Sequence, residues 1–244
     1  MTDAARPPIS FAGIIAGGKG RRLRGEEGTP KPLVMVAGRP LCHWAASSLR
    51  AAGARTIFIL LNSRSRVARD GLRARFPDIR WIFLEADTDS SWESFRLVAK
   101  VLAGEAREFV MSTVDTLLDP REAERFAVEA AASPCSGALA LSAPGHDARP
   151  FWARLGESRR IASFGEEPPS PEPRLATAGL YYLRRELVSA MPPPFAFGAL
   201  REFWHALSKA GTPLLGVPIR SSLDVDEPED LARANALLKG GAWA

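Results

Sequence analysis

Glycine and cationic side chains are concentrated in one short stretch near the start of the chain, A-G-G-K-G-R-R-L at residues 16–23. A further lysine, Lys31, follows between two prolines in P-K-P-L at residues 30–33. Glycine lets the backbone turn with positive φ and approach a ligand closely. Arginine and lysine neutralise anions, and arginine does so through paired hydrogen bonds to phosphate. The combination predicts a loop that binds phosphate groups.

Two common phosphate-binding loops do not match this stretch. A dinucleotide-binding loop of the form G-x-G-x-x-G requires a third glycine, but Leu23 stands in that place, and Asn62 stands where an acidic residue would end the second strand. The string G-x-x-x-x-G-K-[ST] of P-loop ATPases is also absent from the sequence. Binding of NAD and ATPase activity are therefore both disfavoured.

The elements that must position this loop alternate regularly between strands and helices. Strands are predicted over residues 10–16, 56–61, 79–84, 108–114, 136–142, 177–183 and 213–219. Helices are predicted over residues 40–52, 67–76, 91–103, 120–131, 199–210 and 227–238. This alternation predicts an α/β fold with a mostly parallel central sheet and helices on both faces.

The alternation weakens after Pro144, where residues 151–155 and 160–164 are predicted to form a short antiparallel pair. The proline-rich segment E-E-P-P-S-P-E-P at residues 166–173 cannot continue a strand. We therefore expect one domain over residues 1–244, with a small inserted lobe over about residues 143–200.

Composition restricts the class of protein and its partners. The chain has 244 residues and a formal net charge of +4, but its basic residues are spread along the sequence, so nucleic acid is not an expected partner. It contains neither an apolar run of about 18 residues nor a signal-peptide pattern, so we expect a cytoplasmic protein without a membrane partner. Cys42 and Cys135 lie far apart and are expected to be buried, unpaired side chains. No oligomeric state is predicted.

Further along the chain, several short blocks follow one another in a recognisable order. They are the glycine-rich stretch with Arg22, then P-K-P-L, then G-R-P-L at residues 38–41, the strand F-V-M-S-T-V-D ending at Asp115, and D-V-D-E-P-E-D-L at residues 224–231. Together they resemble the nucleotidyltransferases that activate phosphorylated sugars and polyols, including the MobA-like NTP transferases. Arg21 departs from the serine or threonine usual in this family. The resemblance implies a Rossmann-like, GT-A-like nucleotidyltransferase fold.

The reaction implied by the resemblance is attack of a phosphate monoester on the α-phosphorus of an NTP, with release of pyrophosphate. Mg²⁺ is the implied cofactor, held by Asp115 and Asp226, with Asp224 as the substitute for Asp226; both carboxylates also suit helix capping. Lys31 would contact the α-phosphate, Arg22 the β- and γ-phosphates, and Asp115 counts as catalytic. The implied nucleotide-binding residues are Ala16, Gly17, Gly18, Lys19, Gly20, Arg21, Asn62, Ser90 and Ser91.

The acceptor is a small phosphorylated molecule in this reading, and the implied acceptor-binding residues are Gly179, in T-A-G-L-Y, and Glu166. Glu167 stands where related enzymes often carry a lysine for the acceptor phosphate. Either an arginine (Arg149, Arg154 or Arg174) replaces that lysine or the acceptor differs. Two alternatives therefore stay open: a molybdenum-cofactor-type guanylyl- or cytidylyltransferase, and a catalytically reduced nucleotide-binding module.

Overall fold

The structure, a computed structural model, describes residues 9–18, 29–143, 149–170 and 174–240. Its core is a sheet whose first half is parallel, in the spatial order β5-β4-β1-β6. These strands are β1 (Phe11–Ala16), β4 (Thr56–Leu61), β5 (Arg80–Glu85) and β6 (Glu108–Thr113). The sequences of β1 and β4, FAGIIA and TIFILL, are apolar apart from Thr56, as expected for strands that are covered on both faces.

The second half of the sheet is mixed. The long strand β11 (Leu175–Arg184) runs antiparallel between β6 and β8 (Gly137–Ser142), and β12 (Leu214–Pro218) then pairs parallel with β8. At its start, β11 also pairs with β9 (Trp152–Leu155), which forms an antiparallel hairpin with β10 (Ile161–Gly165). The hairpin matches the predicted antiparallel pair, whereas β11, which lies inside the predicted lobe, belongs to the central sheet.

Helices cover both faces of the sheet. They are α1 (Leu41–Ala51), α2 (Ala68–Arg75), α3 (Ser91–Glu105), α4 (Pro120–Ala132), α5 (Arg185–Ser189), α6 (Leu200–Lys209) and α7 (Pro228–Lys239). Two hydrophobic clusters lie against the sheet, and alternate residues of β4 belong to each of them. Ile57 and Ile59 pack with residues of α1, α2, α4 and α7. Phe58 and Leu60 pack with residues of α3, α5 and α6. The α/β architecture with a mostly parallel sheet and helices on both faces is thus confirmed.

Two short antiparallel pairs lie outside the main sheet. One joins β2 (Met35–Val36) to β3 (Arg39–Pro40), and the other joins β7 (Thr116–Leu118) to β13 (Ser222–Asp224). Neither β7 nor β13 is predicted from the sequence, since three residues are too few for a pattern of alternating hydrophobicity to show.

Two further expectations can be compared with the described part of the chain. Cys42 and Cys135 are both buried and unpaired, as predicted. Among the described residues, no helix has the length and the apolar character needed to cross a bilayer.

Candidate active site

The β7–β13 pair brings two carboxylates together that are far apart in the sequence. Asp115 lies between β6 and β7, and Asp226 lies between β13 and α7. In the ladder, Thr116 pairs with Asp224, and just beyond it the Val225 amide donates a hydrogen bond of 3.1 Å to the Asp115 carbonyl oxygen. The C-terminal segment is therefore fastened by its backbone to the loop that follows β6.

Lys31 contacts both of these carboxylates. Its ammonium nitrogen Nζ lies 2.5 Å from Asp115 Oδ2 and also donates a hydrogen bond to Asp226 Oδ1. The lysine begins a single 3₁₀ turn (Lys31–Leu33), and the fixed φ angles of Pro30 and Pro32 stiffen the backbone around it. The Lys31 side chain is 11% exposed, against 25% for Asp115 and 36% for Asp226. The three charges thus form a partly buried cluster in which the two carboxylates are more exposed than the lysine.

The cluster shifts the pKa of its members. Burial on its own would lower the pKa of Lys31, but the charges of Asp115 and Asp226 outweigh burial and raise that pKa above its ordinary value. Burial on its own would raise the pKa of Asp115, but the Lys31 charge and hydrogen bonds from Lys31 and Thr113 lower it overall. Both groups are therefore ionised across the neutral pH range.

Asp224 takes a different position from Asp226. Its Oδ1 accepts a hydrogen bond of 2.6 Å from the Thr116 hydroxyl, and that hydroxyl lies 2.9 Å from the hydroxyl of Thr113. Asp224 therefore supports the β7–β13 pair, while Asp226 faces Lys31. This geometry favours Asp226 over Asp224 as the partner of Asp115. The sequence gives no sign of Thr113 and Thr116, because only the fold aligns them with Asp224.

Gly179 lies against the same pair of hydroxyls. Its φ is +61°, and a Cβ placed there would lie 1.9 Å from Thr116 Oγ1 and 2.7 Å from Thr113 Oγ1. It also lies where the register of β11 against β8 shifts, between Thr177 and Tyr181. Close packing thus accounts for this glycine, and its contact with the acceptor stays a prediction.

The glycine-rich loop follows β1, whose last residue is Ala16. The carbonyl oxygens of Gly17 and Gly18 accept hydrogen bonds from the side chain of Asn62, which follows β4. The predicted contacts of Lys19, Gly20, Arg21 and Arg22 lie outside the described residues. Asn62 therefore holds Gly17 and Gly18, and its predicted contact with the nucleotide stays a prediction.

Ser90 and Ser91 both make contacts within the protein. The Ser90 hydroxyl caps α3 by accepting a hydrogen bond of 3.0 Å from the Glu93 amide. The Ser91 hydroxyl accepts one of 3.0 Å from the Leu200 amide and so fixes the start of α6. Their predicted contacts with the nucleotide stay predictions, and capping, the ordinary role of serine before a helix, is what the geometry gives.

The predicted acceptor side lies between β10 and α6. Glu166, which follows β10, is 85% exposed and forms a long ion pair of 3.9 Å with Arg201. The guanidinium of Arg201 lies over the ring of Phe151, 5.9 Å from its centroid. Glu167 is exposed, as are the three candidate replacements for the family lysine, Arg149, Arg154 and Arg174. Arg201 is thus an additional cation on this side that the sequence does not single out.

The donor set at Asp115 and Asp226 is compatible with Mg²⁺. Within the described ranges no group of three or more His, Cys, Asp and Glu side chains is arranged to hold a metal. Two carboxylates nevertheless suit a hard cation that takes its remaining ligands from substrate phosphates and water. A divalent cation would be attracted by the negative charge of these two carboxylates.

Comparisons with known proteins give a matching family model and several relatives. A family model described as "MobA-like NTP transferase domain" matches residues 12–191. The bifunctional IPC transferase and DIPP synthase of Rubrobacter xylanophilus is 27% identical, with 96% of this chain and 52% of that protein aligned. The bifunctional protein GlmU of Anaeromyxobacter sp. strain K is 25% identical, with 96% and 50% aligned. The chain therefore spans about half the length of the curated relatives it matches.

Solved structures share the fold. The inositol-1-phosphate CTP transferase from T. maritima superimposes with a TM-score of 0.78 at 18% identity, covering 96% of this chain and 98% of that one. A UDP-glucose pyrophosphorylase in complex with UDP-glucose superimposes with a TM-score of 0.75 at 16% identity, covering 96% and 99%. These similarities confirm a nucleotidyltransferase-type (GT-A-like) fold.

Replacing Gly179 by alanine should destabilise the protein by about 2 kcal/mol or more, because the new Cβ meets the Thr116 hydroxyl at a backbone φ that disfavours side chains. Urea unfolding of wild type and variant measures the difference. Gly104→Ala in α3 is the matched control, since no described atom lies within 4 Å of its Cβ position. Equal stability of Gly179→Ala and wild type would contradict the packing described here.

The stability contributed by the Asp115 carboxylate should depend on pH with a definite sign. Because the folded pKa of Asp115 lies below its ordinary value of 3.8, its contribution is present above that value and is lost as the pH falls through the folded pKa. In metal-free protein, the stability difference between wild type and Asp115→Asn should be constant above about pH 5 and shrink below about pH 4. Urea titrations at each pH measure it, and a difference that grows on acidification would refute the assignment.

Proposed function

Since the chain belongs to the MobA-like NTP transferase family, we propose that it transfers an NMP group from an NTP to a phosphorylated sugar or polyol and releases pyrophosphate. The observation that carries the proposal is the meeting of Asp115, Asp226 and Lys31 at the edge of the sheet where the parallel strands β1 and β6 end. Ligands of open α/β sheets bind at such carboxyl ends of strands. In this proposal the two carboxylates supply metal ligands, and the lysine supplies a cation for phosphate. The loop supplies backbone N–H donors.

The chemical difficulty of this reaction is the approach of two anions. The acceptor phosphate must reach the α-phosphorus of the triphosphate, and negative charge must be stabilised on the transferred group. Asp115 and Asp226 would hold Mg²⁺, which when bound neutralises phosphate charge and orients the phosphate oxygens. Lys31 would exchange its carboxylate contacts for the α-phosphate, so that its charge stays paired in both states.

The similar proteins and the predicted acceptor side both bear on the choice of candidate acceptor molecules. The T. maritima neighbour is an inositol-1-phosphate CTP transferase, and another neighbour carries UDP-glucose. We therefore propose a polyol or sugar phosphate as acceptor, with CTP and inositol 1-phosphate as the first pair to test. Arg201 beside Glu166 offers a cation in place of the lysine that Glu167 replaces. A phosphorylated pterin belongs in the acceptor panel, because the family includes enzymes of that type.

Pyrophosphate release should be detected with Mg²⁺ and one pairing of NTP and phosphorylated acceptor, and Asp115→Asn should slow it by at least about 100-fold. Asp119→Asn is the matched control, because Asp119 lies only four residues after Asp115. Its carboxylate caps α4 by accepting a 2.9 Å hydrogen bond from the Arg121 amide. The control should retain the wild-type rate. A folded Asp115→Asn protein with near-wild-type turnover would overturn the assignment of Asp115. Absence of turnover in wild type over the whole panel, with NTP still bound, would favour a nucleotide-binding module.

Lys31→Met should strengthen metal binding to the nucleotide-free protein while it slows transfer. Without the ammonium, the positive charge next to both carboxylates is lost, so we expect the affinity for Mn²⁺, as a probe for Mg²⁺, to rise by about tenfold or more. Titration followed by electron paramagnetic resonance measures free Mn²⁺ directly. Lys100→Met is the control, since that lysine lies on α3 and bonds the Ser189 carbonyl oxygen. Unchanged Mn²⁺ affinity in folded Lys31→Met would show that these carboxylates do not form the metal site.

A further inference from the structure

Asn62 occupies the position beside the glycine-rich loop because of the parallel register of two strands. Ala16 at the end of β1 is aligned with Leu61 at the end of β4, so the next residues, Gly17 and Asn62, are neighbours. The Asn62 side-chain nitrogen Nδ2 donates hydrogen bonds of 3.3 Å to the Gly17 carbonyl oxygen and 3.2 Å to the Gly18 carbonyl oxygen. Asn62 is only 6% exposed, so these bonds are shielded from water.

The other end of the Asn62 side chain is equally engaged. Its oxygen Oδ1 accepts hydrogen bonds from the Arg64 amide at 3.1 Å, the Ser65 amide at 2.9 Å and the Ser65 hydroxyl at 2.9 Å. Donors surround the oxygen and acceptors surround the nitrogen, so the orientation of the amide is fixed by its neighbours. The Nδ2 nitrogen already donates to the Gly17 and Gly18 carbonyl oxygens, which leaves it unsuited to a direct contact with base or ribose.

We propose that Asn62 is a positioning residue that turns the Gly17–Gly18 peptide group so that the Gly18 N–H faces the nucleotide phosphates. In a trans peptide, the C=O of one residue and the N–H of the next point in opposite directions. The hydrogen bond to the Gly17 carbonyl therefore directs the Gly18 N–H away from Asn62. The proposal rests on the proposed function, since it requires that the loop binds an NTP.

The packing around the two glycines agrees with this orientation. A Cβ at Gly17 would lie 3.2 Å from Leu60 Cδ2 and 3.4 Å from Thr88 Oγ1, so this residue is enclosed by protein. At Gly18, by contrast, no described atom lies within 4 Å of the Cβ position. Gly17 is thus enclosed by described side chains and held by Asn62, whereas none of the described side chains encloses Gly18 in this way.

The test compares ligands that share a base but differ in phosphate content. In Asn62→Ala, the affinity for the NTP should fall by about tenfold or more, the affinity for the NMP should fall less, and that for the nucleoside should stay unchanged. Isothermal titration calorimetry with the base that wild type prefers measures all three. Ser65→Ala is the matched control, because it removes a hydroxyl from the same turn and leaves the bonds to Gly17 and Gly18 in place. It should cost stability but preserve NTP affinity.

A second variant covers the case in which Asn62→Ala does not fold. Asn62→Asp keeps an acceptor for the Arg64 and Ser65 amides but loses both donors to the loop, so it should also lose NTP affinity. Salt screens charge repulsion, and in 0.5 M NaCl the Debye length is on the order of a few ångströms. A loss of NTP affinity that persists at this salt concentration therefore supports positioning. A loss that disappears there would overturn it.

Other outcomes separate the two proposals. An equal loss for nucleoside and NTP would overturn positioning and assign Asn62 to the base or ribose. Unchanged NTP affinity in folded Asn62→Ala would overturn positioning while leaving the proposed function intact. If wild type itself bound no NTP, the proposed function would fail, and the positioning role would fail with it.

Discussion

The contact of one ammonium group with two carboxylates is the interaction on which the rest of the candidate site depends. Asp115 and Asp226 lie 84 and 195 positions after Lys31, so the three residues come from separate segments of the chain. Burial of a lysine requires compensation by opposite charge, so each segment is constrained by the other two. The prolines on both sides of Lys31, the backbone bond from Val225 and the Thr116–Asp224 hydrogen bond all maintain this one meeting point.

The composition of this cluster also bears on the proposed reaction. Two carboxylates and one ammonium meet in a partly exposed position. A site that must take up a cation and a polyanion in turn gains from an arrangement in which a cationic side chain is already present and can change partners.

Most of the fold follows from the sequence. Strand 56–61 is predicted correctly because a threonine and five apolar residues lie between turn signals, and the meeting of Asp115 with Lys31 joins two residues that the sequence singles out by their flanking blocks. The β7–β13 pair and the hydroxyls at Gly179 are not predictable, since each needs segments more than 60 positions apart to be aligned first. The sequence shows an asparagine at position 62, but its proposed role depends on the register of β4 against β1. The predicted contacts of Lys19 to Arg22 lie outside the described residues.

The position of β13 late in the chain has a consequence for assembly during synthesis. A ribosome that has produced the chain as far as β12 has already made the glycine loop, Lys31 and Asp115, but it has not yet made Asp226. Pairings between distant segments form slowly, because the intervening chain must be ordered first. The nascent protein therefore passes through a stage in which the strands up to β12 have been made but the pair of carboxylates has not. In the proposed site, the second carboxylate joins only when β13 pairs with β7, as a late event in folding.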